Sequence, residues 1–461
     1  MASRGFIKHS ENQQKINAFG YRCIELLHHS IKKQSNPIEI DLIELFFHEL
    51  VCFYSSAYIV ILTQHKSEEK ASLPYVNNTF IKDPTAYSIQ DLNVESTPFY
   101  YWIFKLNFWA KKTLWIGSSL RREEKEQLFK NAWKVKIKQA KSNEFPVNAD
   151  DYQLFLSKVK QTSRILDLPF TEKHFHALDN YFREYICFEQ YEKSLKANHF
   201  LLAGTNVNLK QRLASANCIK NSGKVISFGH GHASIGVFDE PIFKYGELCF
   251  SSSYVDFGKL PVKKQSNDRL VLKRASSHIQ KIRNKKYLAS TKKLLYIPTS
   301  LSSYKTYAPY RNFYDAFYID WQKVLVETLT KNNVDYRVKI HPKSIESYSY
   351  LQEENLEKDT LEKCFDRYDG FIFDYVSTAL TETLATNKKI IVFDLGNRKI
   401  VPEALECIKQ DTLYTKIAFD QPLEEQIEAV LSLEKKRQFG YTNTYSLGGQ
   451  SITEIIKDIV R

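Results

Sequence analysis

The chain has 461 residues, a length that predicts two domains of about 200 residues each rather than a single hydrophobic core. Apolar residues make up 43% of the chain and charged residues 26%, a composition that excludes a largely disordered protein. The formal net charge of +12 favours an anionic partner and leaves three classes open: nucleic acid, a nucleotide-activated donor and the acidic face of a membrane.

The cysteines, the N-terminal residues and the longest apolar run indicate the cellular compartment in which the protein is expected. The seven cysteines lie far apart and form no Cys-x-x-Cys motif, a pattern typical of reduced, packed thiols. The first residues contain no apolar segment followed by a small-residue cleavage site. The longest apolar run, residues 45–62, is interrupted by His48 and Glu49 and is too polar to predict a membrane span. We therefore expect a cytoplasmic protein.

The N-terminal part of the chain is predicted to be mainly helical. Apolar residues at three- and four-residue spacing predict helices over residues 12–33 and 41–54, and a short apolar run predicts a strand over residues 58–63. Residues 99–141 are aromatic and then strongly basic. This pattern favours a core helix followed by a solvated basic helix, and contact with a membrane surface is the alternative.

Strands and helices alternate in the middle of the chain. The pattern predicts helices over residues 172–197 and 209–221 and strands over residues 199–203 and 224–228. Such alternation is typical of a parallel sheet. The polar, basic residues 262–289 predict a passage between two lobes.

The alternation is clearest after residue 290, where it predicts a doubly wound α/β domain. Strands are expected over residues 293–297, 336–340, 370–374 and 389–393. Helices are expected over residues 313–331, 355–367 and 379–386. The predicted domains are an N-terminal lobe (1–225), a segment containing the inter-lobe passage (226–290) and a C-terminal Rossmann-like lobe (291–461).

Polar residues follow the predicted strands of the C-terminal lobe, at the edge where open α/β sheets bind ligands. His341 follows one strand, and Ser377 and Thr378 stand where the helix after another strand begins. Free N–H groups and the positive end of a helix dipole suit a phosphate oxygen; an ordinary helix cap and a histidine bonded to backbone are the alternatives. Glu382 lies four residues after Thr378, on the same side of the helix, where it can bind ribose hydroxyls or interact with the dipole.

A second candidate site is the segment Gly229-His230-Gly231-His232, which follows the predicted strand 224–228. Glycines allow the backbone to approach a ligand, and imidazole is the usual general base near neutral pH, so His230 and His232 are candidates for that role. A glycine-rich turn with solvated histidines is the alternative. A metal site is not expected, because Asp239 and Glu240 are the only acidic residues nearby.

Three blocks in this part of the sequence share their order with a known family. They are Val-Ile-Ser-Phe-Gly-His-Gly-His at residues 225–232, Val-Lys-Ile-His-Pro at 338–342 and Asp-Gly-Phe-Ile-Phe-Asp-Tyr-Val-Ser-Thr-Ala at 369–379. They resemble elements of the CDP-glycerol glycerophosphotransferases, and the last two also resemble bacterial sialyltransferases and Kdo transferases. The resemblance covers roughly residues 199–400. It implies an α/β protein of the GT-B fold, with two Rossmann-like lobes and a cleft between them, that needs no metal or cofactor.

The resemblance also implies roles for individual residues. Those implied at the donor nucleotide and its phosphates are Lys339, His341, Pro342, Ser377, Thr378 and Glu382. His341 would contact or protonate the phosphate, Ser377 and Thr378 would bind its oxygens, and Glu382 would hold ribose. His230 would be the base, although the family's His-Gly-Thr-Pro is His-Gly-His-Ala at residues 230–233, so His232 remains an equal candidate.

We therefore expect an inverting glycosyltransferase of surface-polysaccharide biosynthesis, for capsule, lipopolysaccharide or a teichoic-acid-like polymer. It would move a sugar such as Kdo or sialic acid, or a polyol phosphate, from a CMP- or CDP-activated donor to a glycan or lipid-linked glycan. Peripheral contact with the anionic inner face of the cytoplasmic membrane is compatible with the charge. The alternatives are a UDP-sugar GT-B transferase or epimerase and a basic nucleic-acid-binding protein. A nucleic-acid partner is not expected, because the sequence contains no recognised binding module.

Overall fold

The computed structural model describes the chain in separate ranges. The described residues are 112–116, 135–138, 199–203, 224–229, 236–238, 251–258, 270–287, 293–301, 315–341, 350–396, 398–451 and 454–455. Within these ranges there are two parallel β-sheets with helices. No helix in this part of the chain has the length and the apolar character needed to cross a membrane.

Six strands form the first sheet, and every neighbouring pair is parallel. They are β1 (Lys112–Ile116), β2 (Val135–Lys138), β3 (His199–Ala203), β4 (Lys224–Phe228), β5 (Ser253–Phe257) and β6 (Leu270–Arg274). The order across the sheet is β2-β1-β3-β4-β5-β6. Because parallel neighbours need crossover connections, this is the arrangement of an α/β protein.

Five strands form the second sheet, which is also parallel throughout. They are β7 (Leu294–Ile297), β8 (Tyr336–Val338), β9 (Gly370–Phe373), β10 (Lys389–Asp394) and β11 (Leu413–Lys416). The order across the sheet is β11-β10-β9-β7-β8, so β9 lies in the centre and β8 at one edge.

The helices of the described residues are numbered in chain order. They are α1 (Ser277–Asn284), α2 (Asp315–Lys331), α3 (Leu361–Cys364), α4 (Thr378–Leu384), α5 (Pro402–Asp411), α6 (Leu423–Leu431) and α7 (Gly440–Tyr445). A short 3-10 helix, Glu353–Asn355, precedes α3.

Both faces of the second sheet are covered, which explains why its central strands are apolar without interruption. Successive residues of a strand point to opposite faces, so Ile372 lies in one core cluster while its neighbours Phe371 and Phe373 lie in the other. One cluster contains Trp321 and other residues of α2 together with residues of α6. The opposite cluster contains residues of α4, α5 and α7. Pleated alternation and helices on both faces therefore build a doubly wound domain.

Segments that follow strands of the first sheet contact the second sheet and its helices. Phe238 forms an antiparallel bridge with Ile400, and the Val401 N–H donates to the Val237 carbonyl at 2.8 Å. After β5, Gly258 has a φ of +91°, and a Cβ at this position would lie 2.4 Å from the Thr444 carbonyl oxygen. Only glycine allows this close approach without strain. The chain after β4 is thereby joined to the loop after β10, and the chain after β5 to α7.

The structure confirms the α/β class and most of the predicted strands within its described ranges. β3 and β4 have the predicted bounds, and β7 to β10 begin and end within two residues of them. β5, β6 and β11 were not predicted, and β6 and α1 occupy the range expected to be a polar passage. The helix predicted over residues 355–367 is reduced to α3.

The prediction of helices over residues 99–141 is wrong at β1 and β2. The sequence of β2, Val-Lys-Ile-Lys, alternates β-branched and charged residues with the period of two that suits a strand. The predictions for residues 12–33, 41–54, 58–63, 172–197 and 209–221 lie outside the described residues. The division into GT-B lobes at residues 225 and 290 stays a prediction.

Candidate functional site

The central strand β9 is followed directly by a buried carboxylate, Asp374, at the edge where ligands of parallel sheets bind. Its Oδ1 accepts hydrogen bonds from the Thr299 N–H at 2.7 Å and the Thr299 Oγ1 at 2.9 Å. Its Oδ2 accepts from the Tyr296 hydroxyl at 2.6 Å. Burial raises the pKa of Asp374 to about 6 even though these three donors favour the charged form. Asp374 therefore fixes the loop after β7 against the end of β9.

Side chains outside the two strands extend this network. Gln322, on α2, donates from Nε2 to the Thr299 carbonyl at 3.0 Å, and the Tyr350 hydroxyl donates to Gln322 Oε1. Gln322 and Thr299 are both buried. The segment after Asp374 thus begins from a rigid support, and that segment contains Ser377 and Thr378.

Ser377 is the N-cap of α4, as the helix-cap alternative predicted. Its Oγ accepts a hydrogen bond from the Leu380 N–H at 3.3 Å, and its carbonyl accepts from the Thr381 N–H at 3.1 Å. Thr378 begins the helix and is half-buried. The N–H groups of Thr378 and Ala379 stand in the first turn, where no intrahelical acceptor exists, so they remain able to bind an anion.

The other end of α4 is held by the chain after α6. The Leu384 carbonyl accepts hydrogen bonds from the Arg437 guanidinium and from the Thr442 hydroxyl, the latter at 2.9 Å. Arg437 also donates to the Thr386 carbonyl. A cation at a helix C-terminus complements the dipole, and burial lowers the pKa of Arg437 to about 10. The short helix that carries the candidate phosphate residues is consequently fixed at both ends.

Glu382 projects from α4 and pairs with a histidine that sequence reasoning missed. Its Oε1 lies 3.0 Å from His278 Nε2, and His278 Nδ1 lies 3.5 Å from Glu362 Oε1. His278 is the second residue of α1, which directly follows β6 of the first sheet. The position of His278 shortly after a strand could have marked it as a candidate site residue. The strand itself, β6, was interpreted as part of a polar passage, so this was not recognised.

An aromatic and cationic group lies beside the same edge. The Arg398 guanidinium, in the loop after β10, lies 4.9 Å from the ring centres of both Tyr375 and Phe238. Such contacts hold a planar cation over the aromatic rings. Arg398 thereby places a positive charge near the residue that follows Asp374.

Lys339 and His341 follow the edge strand β8. The Lys339 N–H donates to the Tyr296 carbonyl at 2.8 Å, and its ammonium donates to the Asp359 carbonyl. His341 is exposed, and Pro342 lies outside the described residues. Since β7 lies between β8 and β9, the strands that precede His341 and Ser377 are two strand spacings, about 10 Å, apart. The structure thus places His341 and Ser377 at one sheet edge, with Lys339 bonded to backbone there.

Buried charge also lies at the carboxyl edge of the first sheet. Lys273 Nζ is 2.8 Å from Asp256 Oδ2, and the two side chains are 12% and 2% exposed. A Cβ on Gly229 would lie 3.2 Å from Asp256 Oδ1, and a Cβ on Gly236 would lie 3.3 Å from Asp256 Oδ2. The carboxylate therefore contacts both glycines that border residues 230–235. His230 and His232 themselves lie outside the described residues.

No group of three or more His, Cys, Asp or Glu side chains is arranged to hold a metal ion within the described ranges. The chemistry available here is hydrogen bonding and charge: hydroxyls and N–H groups at α4, a carboxylate with a histidine partner, and cations after β8 and β10. This set suits a phosphorylated ligand with hydroxyl groups.

Comparison with known proteins adds no relative. A scan against protein-family models finds no match, and a search of curated proteins finds none with significant similarity.

Proposed function

We propose that the protein is a GT-B glycosyltransferase of surface-polysaccharide biosynthesis that uses a CMP- or CDP-activated donor. It transfers a sugar, Kdo or sialic acid among the candidates, or a polyol phosphate, to a glycan or lipid-linked glycan, with inversion and without a metal. The proposal combines the motif resemblance with the arrangement of two parallel sheets. It places the reaction in the cytoplasm, with peripheral membrane contact where the acceptor is lipid-linked.

One observation carries the proposal: residues that follow strands of both sheets meet beside the candidate phosphate residues. His278 follows β6 of the first sheet and contacts Glu382, one turn after Thr378 on α4. Phe238, from the chain after β4, meets Arg398 and Ile400, from the loop after β10. Donor groups bound at the second sheet would therefore face residues of the first sheet, as a transfer reaction between two substrates requires.

Different candidate residues would serve the acceptor hydroxyl and the donor phosphate in a displacement reaction. His230 or His232 takes the proton of the acceptor hydroxyl, whose oxygen then forms the new bond to the transferred group. The bond between that group and the donor phosphate breaks, and its electron pair leaves on the phosphate oxygen. Ser377, Thr378 and His341 offset the growing negative charge by hydrogen bonding and by the helix dipole.

Cytidine nucleotides are expected to raise the melting temperature of the full chain without added divalent metal. A ligand that binds only the native state at 100 times its Kd stabilises it by about 2.7 kcal/mol. Differential scanning fluorimetry with CMP, CDP, UDP and GDP, each with EDTA and with Mn²⁺, measures the effect. Stabilisation by UDP alone, or by any nucleotide only with Mn²⁺, would contradict the proposal.

Replacing both Ser377 and Thr378 with Ala is expected to weaken CMP or CDP binding by roughly 1–3 kcal/mol, the scale of lost hydrogen bonds to a charged group. Because Ser377 also caps α4, the experiment needs variants that separate the two roles. Ser377→Asn and Ser377→Asp both preserve a cap, but Asp adds a negative charge that repels phosphate.

Isothermal titration and urea unfolding of all three variants complete this test. The expected result is that Ser377→Asp keeps its stability and loses nucleotide affinity, whereas Ser377→Asn keeps most of both. Equal nucleotide affinity in the Asp, Asn and wild-type proteins would show that Ser377 is a helix cap and does not bind phosphate.

A further inference from the structure

Two basic segments that are far apart in the sequence meet at the ring of Phe439, the residue before α7. The Arg283 guanidinium, near the end of α1, lies 3.5 Å from the centre of this ring. The Arg437 guanidinium lies 4.8 Å from the same ring centre. Because each cation is held against the aromatic ring, the end of α1 and the segment before α7 lie side by side.

The two segments carry a large excess of positive charge. Residues 281–286 contain no acidic residue and four basic ones, which are Lys281, Arg283, Lys285 and Lys286. Residues 433–437 contain three basic residues, Lys435, Lys436 and Arg437, and one acidic residue, Glu434. Ion pairs with Asp366 and Lys389 occupy Lys285 and Glu434 respectively. We call the surface formed by residues 281–286 and 433–437 the basic face.

The basic face is open to solvent, and it contains an exposed apolar side chain. Lys286 and Lys436 are exposed and make no ion pair or hydrogen bond within the part of the chain that the structure describes. Leu433, which follows α6, is 50% exposed. No other large hydrophobic side chain is exposed in the described ranges. The surface therefore combines mobile cations with one leucine that has no apolar partner to cover it.

The basic face lies at the end of α4 that is remote from the candidate phosphate residues. Arg437 donates to the Leu384 carbonyl at the end of this helix, whereas Thr378 begins it. Lys389 begins β10, at the amino edge of the second sheet, and donates to the Leu431 carbonyl at 2.9 Å. A large partner on the basic face would therefore leave the carboxyl edge of the sheet open to a soluble nucleotide.

We propose that the basic face docks the protein on a bilayer that contains anionic phospholipid, with Leu433 inserted among the lipid headgroups. Basic residues near such a surface are attracted to it, and an apolar side chain adds the second signal that membrane anchoring generally needs. The exposed leucine favours a bilayer over a soluble polyanion, because a polyanion has no apolar phase to receive it. The inference rests on the proposed function for its setting at a membrane, and it assigns the residues that make the contact.

Sedimentation with phospholipid vesicles measures the binding of the full chain. In about 0.1 M NaCl, vesicles with about 30% phosphatidylglycerol should bind at least roughly 10-fold more tightly than vesicles of phosphatidylcholine alone. Lys286→Gln combined with Lys436→Gln should weaken binding to the anionic vesicles about 25-fold, since each basic residue near the surface contributes a factor of about 5. Leu433→Ser should weaken the same binding by about 3- to 10-fold, through the loss of apolar burial.

Lys323→Gln combined with Lys416→Gln is the matched control. Both lysines are exposed and make no ion pair or hydrogen bond within the described ranges, but they lie on α2 and at the end of β11, outside the basic face. The net charge changes by the same amount, and vesicle binding should stay within about 2-fold of wild type. A loss as large as that of the basic-face variant would assign the attraction to the charge of the whole molecule and overturn the inference.

The remaining outcomes distinguish a membrane from a soluble polyanion and this inference from the proposed function. If wild type binds a single-stranded oligonucleotide but not the anionic vesicles, or if Leu433→Ser binds the vesicles as tightly as wild type, the inference is wrong. CMP affinity of the basic-face variant, measured by isothermal titration, should equal that of wild type. Binding of CMP without binding of vesicles would overturn the inference and leave the function standing. Binding of anionic vesicles without binding of any cytidine nucleotide would support the surface and contradict the function.

Discussion

Replacing Asp256 with Asn is expected to lower the free energy of unfolding by about 3–5 kcal/mol, the cost of leaving a buried charge without its partner. The substitution keeps the shape of the side chain but removes the negative charge beside Lys273, whose side chain is only 12% exposed. Adding Lys273→Met should recover most of the loss, because the unpaired ammonium is then gone. Urea unfolding of both single variants and the double variant gives the coupling energy.

Asp366→Asn provides the matched control for this effect. Asp366 and Lys285 form a pair that is shorter, at 2.6 Å, but their side chains are 46% and 55% exposed. Removing an exposed pair costs up to about 1 kcal/mol, since solvent screens it. If Asp256→Asn costs no more than Asp366→Asn, burial does not govern the energy of the Asp256–Lys273 pair.

The second large effect is a loss of stability between about pH 4 and pH 6 that depends on Asp374. Its pKa is raised from 3.8 to about 6 by burial, so the folded state binds the proton more tightly than the unfolded state does. The stability linked to this proton is fully present below about pH 4 and is lost as the pH rises through 6. Linkage at 1.36 kcal/mol per pKa unit gives a change of about 3 kcal/mol.

Asp374→Asn isolates this contribution. The amide can keep all three contacts, because its oxygen can accept from Thr299 N–H and Oγ1 while its NH₂ donates to the Tyr296 hydroxyl. Wild-type and variant stabilities measured by urea unfolding from pH 4 to pH 7 should converge at the acidic end and diverge by about 3 kcal/mol toward pH 7, with the variant more stable. Parallel pH profiles would show that Asp374 is not the titrating group.

Most of the strands that sequence reasoning predicted share a simple property. β3, β4, β7, β9 and β10 are short, largely apolar runs that are followed within two residues by glycine, proline or a polar residue. Burial on both faces of a parallel sheet requires such runs, so a local pattern suffices to find them.

β5 and β6 were not predicted because they contain charged residues that are largely buried in the fold. β5 contains Asp256, and β6 contains Lys273 and Arg274. No element was predicted over β5, and the basic residues of β6 were interpreted as part of a polar passage. In the fold Asp256 and Lys273 stand opposite each other and pair, and Arg274 lies 4.1 Å from the ring centre of Phe257. The compensation depends on strand pairing, which the local pattern of either segment does not contain.

Only part of the candidate site could be predicted from the sequence. The order of elements and the short motifs sufficed to place Ser377 and Thr378 at the start of α4 and Glu382 one turn later, because helix starts and strand ends obey local rules. The sequence did not indicate that His278 reaches Glu382 across 104 positions, or that Asp374 is held by Tyr296 and Thr299. Local hydrophobic periodicity specifies which segments become strands and helices, whereas the partners of a buried polar group follow from how those segments pack.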